Sequence, residues 1–246
     1  MNLLKKGNKG NEVRILQEFL NLYGANLNID DDFGTNTVNA VKNFQKSHFD
    51  QQGQSLEVDG ILGETSWQAL LDNYPLQEET TQLKPKVDKP TKDRIKLVHP
   101  ALRSELDKIY EEIRNRGVAV RFTSTLRTFE EQEKLYAQGR TRPGQVVTNA
   151  RAGQSYHNYG LAVDFCLLLE GGKKVSWNRS LDLDHDGQKD WDEVVFVFKM
   201  YEWKWGGDWT SFKDYPHFQK TFSASVGQLL AKYNNNEIEN DYVKLT

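Results

Sequence analysis

The 246-residue chain carries 32 lysines and arginines against 35 aspartates and glutamates, a formal net charge of −3. That balance leaves no basic field to draw nucleic acid, and no apolar run is long enough to insert in a membrane, so neither partner is expected. A single cysteine, Cys166, excludes an internal disulfide, and the length has room for two modest domains, expected in a monomer. The start, MNLLKKGNKGNEV, lacks the apolar core of a signal peptide, so synthesis in the cytoplasm without a Sec-type address is expected.

Residues 1 to 74 read as a small all-α unit of three helices with an internal repeat. IDDDFGTNTVNAV and VDGILGETSWQAL superpose at an offset of 29, setting Asp30 on Asp59, Phe33 on Leu62, Gly34 on Gly63 and Ala40 on Ala69. Each copy reads as a polar turn, a glycine, a Thr or Ser cap and a short amphipathic helix. Ahead of them, Val13, Leu16, Gln17, Phe19 and Leu20 fall at helical spacing. The repeat resembles the peptidoglycan-binding module found beside many wall hydrolases, which implies peptidoglycan as partner; a helical oligomerisation unit is the alternative. With 6 basic and 10 acidic residues in this segment, binding would rest on shape and hydrogen bonds rather than charge.

From Pro75 to Lys96 the composition turns to PLQEETTQLKPKVDKPTKDRIK, with three prolines and few apolar residues, and an extended linker over 75–96 is expected. Residues 97–225 then read as an α+β domain with a small antiparallel sheet. Leu102, Leu106, Ile109, Tyr110 and Ile113 make a helical stripe closed by Gly117, and Val118, Val120 and Phe122 alternate as a strand. Thr128 and Glu131 form a capping box that starts the next helix, and residues 140 to 154 read as a loop. Leu161 to Leu169 is an apolar central strand, with Cys166 a buried thiol inside it. A helix is expected from about Trp191 to Trp203, and a strand at His217 to Lys220. The tail, 226–246, is expected to hold a short helix at Val226 to Tyr233 and then fray.

Within this domain, His157 and Asp164 stand seven residues apart and can converge if the chain doubles back at Gly160. Proline in Asp214-Tyr215-Pro216-His217 rules out a helix interior, so a tight bend brings residues 214 and 217 to one pocket. Two imidazoles and one carboxylate form a three-ligand set that leaves zinc one position for water, and a nearby unligated carboxylate could act as general base. Residue types alone leave it open that these histidines are merely packed. His48, His99 and His185 read as non-catalytic. Trp203, Trp205 and Trp209 read equally as core or as the wall of a groove.

SxHxxGxAxD at 155–164 followed by DxPHF resembles the zinc peptidases of the D-alanyl-D-alanine carboxypeptidase and L-alanyl-D-glutamate endopeptidase family. STLRTFEEQEKLY is similar to that family's Ser-x-x-Arg-x-x-x-x-Gln segment, and WKWGGDWTSFKD to its lead into the last ligand. The resemblance covers about residues 97 to 222. It implies that His157, Asp164 and His217 bind zinc, that Asp214 is the base and that Arg127 steadies the developing oxyanion. An aspartate at the base position resembles the L-Ala–D-Glu endopeptidase branch, and the lack of a signal peptide resembles a phage endolysin acting on the cell wall. The rivals are a D-Ala-D-Ala carboxypeptidase and a non-catalytic, calcium-dependent wall-binding protein.

One further pattern stands between the presumed zinc ligands. Asp182, Asp184, Asp186, Gly187, Gln188, Asp190 and Glu193 occupy positions 1, 3, 5, 6, 7, 9 and 12 of an EF-hand loop. Carboxylates so crowded repel one another unless a cation neutralises them, and calcium, hard and oxygen-seeking, fits. Lys189 at position 8 and the lack of a clear preceding helix depart from a paired EF-hand. A single calcium loop that steadies the route to the 214–217 bend is expected, with a solvated acidic turn as the alternative.

Overall fold

The chain divides into two units, Met1–Thr81 and Gln82–Thr246, of which the computed structural model describes residues 3–72 and 84–245. In the first unit, α1 (Asn11–Leu22), α2 (Thr35–Ser47) and α3 (Glu64–Asp72) surround a core of Val13, Leu16, Phe19, Phe33, Val41, Leu62 and Leu70, all fully buried. The sequence repeat has a polar counterpart. Gln17 donates to Asp30 Oδ1, Asp32 O and Thr37 Oγ1, and Gln45 donates to Asp59 Oδ1, Ile61 O and Ser66 Oγ. Each buried glutamine thus knots one acidic turn onto the helix after it, satisfying groups that burial would otherwise strand. The expected hydroxyl cap is absent from α2: Gly34 takes the cap position with no side-chain bond, and Thr35 is already the first residue of the helix.

The second unit begins where a tether was expected. Residues 75–83 lie outside the described residues, but 84–96 are packed, not extended. There α4 (Lys89–Ile95) is capped by the Asp88 side chain and carries Pro90 in its first turn, with Thr91 and Ile95 buried. Polar contacts replace the missing apolar ones. Asp88 takes a forked pair from Arg121, at 2.7 Å from Nη2 and 3.1 Å from Nε, and Thr91 Oγ1 accepts from Phe122 N at 3.0 Å.

Next come α5 (Pro100–Asn115), β1 (Val120–Ser124), α6 (Phe129–Ala137) with its capping box, and a 3-10 turn at Tyr156–Tyr159. They are followed by β2 (Ala162–Leu169), β3 (Lys174–Ser176), α7 (Asp190–Met200), β4 (Lys204–Trp205) and β5 (His217–Gln219). The antiparallel sheet runs β1-β2-β5-β4, with β3 also on β2. β2 is central and apolar on both faces, and Phe218 of β5 stacks on Phe198 of α7 at 4.0 Å between ring centroids. Such a pair contributes about 0.5–1.5 kcal/mol beyond its burial. Cys166 is buried in β2, where loss of water pushes its thiol up to about 11.

The tail does not fray. After α8 (Val226–Asn234), β6 (Ile238–Glu239) and β7 (Tyr242–Val243) pair as a hairpin. Tyr242 donates to Leu97 O at 3.0 Å, and His99 Nε2 donates to Val243 O at 3.1 Å. Leu229 is fully buried, an anchor that the polar composition of the tail conceals.

Candidate active site

Sheet register explains why residues far apart in sequence meet. Asp164 on β2 pairs across to His217 on β5 and to Ser124 on β1, so their side chains share one face. His157 arrives on the 3-10 turn, which ends at Gly160 with φ 67; a Cβ there would sit 2.6 Å from His99 N. Glycine therefore supplies both the left-handed bend and the room for the chain to double back.

His157 Nδ1 donates to Thr125 O at 2.7 Å, and His217 Nε2 donates to Gln219 Oε1 at 3.1 Å. Each bond fixes a tautomer, leaving lone pairs on His157 Nε2 and His217 Nδ1. Those atoms lie 3.3 Å apart and stand 3.2 and 3.0 Å from Asp164 Oδ1. Three acceptors facing one another with no shared hydrogen repel unless a cation lies among them. At zinc–ligand lengths of about 2.0–2.1 Å, neighbouring ligands of a tetrahedron are about 3.3–3.4 Å apart, so the donor triangle fits zinc. Burial would push the Asp164 carboxyl up, but the two imidazoles outweigh it and hold it well below the usual range.

The triad opens on a cleft of ≈ 820 Å³ that Arg127, Asp214, Trp177 and Trp209 also line. Arg127 is fixed by Ser124 Oγ and Gln132 Oε1, each at 3.0 Å, with Nη2 3.6 Å from Asp164 Oδ2. The backbone N–H of Asp214 donates to Gly206 O at 3.1 Å, and Gly206 lies against Asp214 too closely for any side chain. Burial, with Asp164 nearby, lifts the Asp214 carboxyl above its ordinary value. The tryptophans divide: Trp209 faces His217 at 5.2 Å, whereas Trp203 is buried and donates to Glu105. Gln219, which orients His217, went unnoticed in the sequence, although two residues along a strand share a face. Thr125 acts through its backbone carbonyl and leaves no sequence signal.

The acidic residues of the loop lie close together. Gly187 has φ 90, and ligand oxygens of Asp182, Asp184 and Asp190, and of Asp184, Asp186 and Glu193, lie within 4.8 Å of one another. Gln188 donates its N–H to Asp186 Oδ1, and Glu193 falls in the first turn of α7. Asp190 Oδ2 and Glu193 Oε2 are enclosed without a hydrogen bond, in residues 1% and 4% exposed. Burial and the neighbouring acids lift Asp184 to about 6, and burial with Asp186 lifts Glu193 to about 9.

In the first unit a cleft of ≈ 460 Å³ between α1 and α2 is lined by Asn36, Asn39, Asn43, Tyr23 and His48, with no carboxylate, lysine or arginine.

Residues 148–220 match a family profile described as D-alanyl-D-alanine carboxypeptidase, and residues 9–70 match a peptidoglycan binding domain. The chain is 45% identical over 122 residues to peptidoglycan L-alanyl-D-glutamate endopeptidase CwlK of Bacillus subtilis, covering 50% of this chain and 72% of that protein. It is 30% identical over 112 residues to the L-alanyl-D-glutamate peptidase of a Listeria phage, covering 46% of this chain and 34% of that one. Among solved structures, the Serratia marcescens L-Ala D-Glu endopeptidase ChiX aligns with 59% of this chain and 96% of its own, at 21% identity and a TM-score of 0.39. Among the described residues, no helix is long and apolar enough to cross a membrane.

Proposed function

The chain belongs to the zinc peptidase family of D-alanyl-D-alanine carboxypeptidases and L-alanyl-D-glutamate endopeptidases, and on that premise we propose that it hydrolyses the L-Ala–D-Glu bond of peptidoglycan stem peptides. The observation that supports this most is the converging triad with Asp214 and Arg127 in the same cleft. His157, Asp164 and His217 would hold zinc, which when bound supplies a Lewis acid and a water of lowered pKa. Asp214 takes the proton of the attacking water and passes it to the leaving amine, from its place beside the triad in the same cleft. Arg127, locked by Ser124 and Gln132, presents a permanent charge to the oxyanion that forms on the scissile carbonyl. The choice of bond follows the relative at 45% identity. The asparagine-lined cleft of the first unit is the matching wall-binding surface, suited to uncharged sugar hydroxyls and amides.

Calcium at the acidic loop is the finer part of the reading. Asp182, Asp184, Asp186, Asp190 and Glu193, with the carbonyl of Gln188, would supply the oxygens, and the enclosed, unbonded oxygens of Asp190 and Glu193 favour an ion over a solvated turn. The loop leads directly into α7, and α7 leads through β4 to Gly206 and its bond to Asp214. An ordered loop would thereby steady the base.

Mass spectrometry of purified peptidoglycan digested by wild type and by Asp214→Ala tests the activity. New D-Glu N-termini that the variant does not produce are expected. Release of free D-Ala would assign the chain to carboxypeptidase activity instead, and no release from any wall type would leave a binding protein.

A further inference from the structure

A second recess, of ≈ 550 Å³, opens beside the cleft and shares Thr123, Arg127 and Leu135 with it. Its charge is lopsided for a chain of net −3: Arg94, Arg127, Lys134 and Arg142 line it, against Glu131 alone. The Glu131 carboxylate is already engaged at the start of α6, accepting from Thr128 N at 2.8 Å and from its hydroxyl at 3.1 Å. Arg127 is tied to Ser124 and Gln132, and Lys134 faces Glu130 at 2.6 Å. Arg94 and Arg142 remain. Among the described residues, neither guanidinium has a hydrogen bond or an ion pair, and Nη1 of Arg94 is shut away from solvent with no acceptor.

An enclosed cationic donor without a partner is costly, so it points to an oxygen that arrives with a ligand. Both arginines stand on fixed backbone. Arg94 O accepts from Thr125 Oγ1 at 3.1 Å and Leu97 N at 3.0 Å, while Arg142 donates to Ala137 O and accepts from Gly139 N, each at 2.9 Å. Two guanidinium forks thus flank a hollow that continues from the catalytic cleft.

We propose that this recess is the subsite for the free carboxylates of the stem peptide beyond the scissile bond, gripped by Arg94 and Arg142. It rests on the L-Ala–D-Glu reading. In that substrate the D-Glu residue continues the chain through its side-chain carboxyl, so its α-carboxylate stays free beside the cut. A guanidinium takes a carboxylate through two parallel charge-assisted bonds, whereas an amide offers one acceptor and no charge. The enzyme therefore selects acid over amidated stem peptides. The segment bearing Arg94 belongs to the specificity apparatus, although its composition reads as a linker.

Calorimetry on the full chain tests this with two synthetic peptides, D-Glu-γ-linked to a diamino acid and D-Ala, one with the free α-carboxylate and one with the α-amide. Wild type should bind the acid at least about tenfold more tightly, the margin of one charged bidentate contact. Arg94→Gln with Arg142→Gln should erase that preference while leaving the affinity for the amide in place. Arg94→Lys and Arg142→Lys, which keep the charge and the stem's packing, should retain part of it. Equal binding of acid and amide by wild type, no binding of either, or a preference that survives the double variant would each overturn the subsite. Cleavage of intact acid and amide stem peptides gives the second readout: the double variant should raise KM for the acid alone, with kcat unchanged. Failure of wild type to cut either peptide would refute the assigned bond, while the calorimetric preference would still decide the subsite.

Discussion

His157, Asp164 and His217 reach one point from three separate elements, each imidazole turned by a bond from outside the cluster. Asp182, Asp184, Asp186, Asp190 and Glu193 instead come from twelve consecutive residues, and the four aspartates are held by backbone N–H groups of that same stretch. The difference shows where the cost of assembly falls. For the triad, the sheet holds the donors in position before any ion arrives. For the loop, one short stretch brings the charges together, and burial with Asp186 lifts Glu193 to about 9 even with the Arg116 guanidinium 3.7 Å away. The first arrangement is what the proposed zinc chemistry needs, and the second is what the proposed calcium would order.

Asp214→Ala should have the largest effect. Loss of a positioned base lowers kcat by about 10²–10⁴-fold. Because Asp214 belongs to neither cluster, zinc and calcium contents measured by elemental analysis should not change. Zinc lost along with activity would make Asp214 part of the triad's support.

Gln219→Leu strikes the triad's orientation without removing a ligand. Once His217 Nε2 loses its partner at 3.1 Å, either tautomer becomes open to it. Loss of such an outer partner typically weakens metal binding by about 10–100-fold, readable by chelator competition. Calcium-dependent melting should not move. An unchanged zinc affinity would mean that the sheet alone fixes the imidazole.

Glu193→Gln tests the loop. Burial, with Asp186, raises the folded pKa of Glu193 to about 9, so the stability tied to its protonated form is full below the unfolded value of about 4.3 and is lost as pH rises toward 9. In chelator, wild type should therefore lose stability across that window, and Glu193→Gln should lose less. Calcium should restore the wild type and do little for the variant. Equal calcium-induced shifts in melting temperature for both proteins would remove Glu193 from the site.

How far such features can be read from sequence depends on what holds them. The triad was legible through motifs that resemble a known family, the acidic cluster through its fixed spacing, and the capping box at Thr128 and Glu131 because its chemistry is local. The repeat revealed three helices, yet not that Gln17 and Gln45 knot each half, since a buried glutamine has no period of its own. Residues 84–96 were misread as part of a linker because packing there depends on polar pairs such as Asp88 with Arg121, invisible to any count of apolar residues. The tail was misread as fraying for the same reason: Tyr242 and His99 join it to the body through backbone carbonyls.

That polar packing gives the smallest effect and a test of whether the triad's scaffold is as independent of ions as its ligands suggest. β1 brings Ser124 and leads to Thr125 and Arg127, and it is clamped by the forked bond of Arg121 to Asp88. Burial alone would raise the Asp88 carboxyl, but Arg121 and Thr91 outweigh it and hold it below its ordinary value. The sign follows from a lowered pKa: stability is present above the unfolded value of about 3.9 and is lost as pH falls through the folded one. Asp88→Asn should thus cost about 1–2 kcal/mol in urea unfolding at pH 7, with the gap to wild type closing below about pH 4. The variant touches no ligand, so zinc affinity should hold wherever the fold does. If zinc binding weakens at pH 7 while the fold is intact, the triad draws its geometry from a charge pair as well as from the sheet, and the contrast with the acidic loop becomes one of degree.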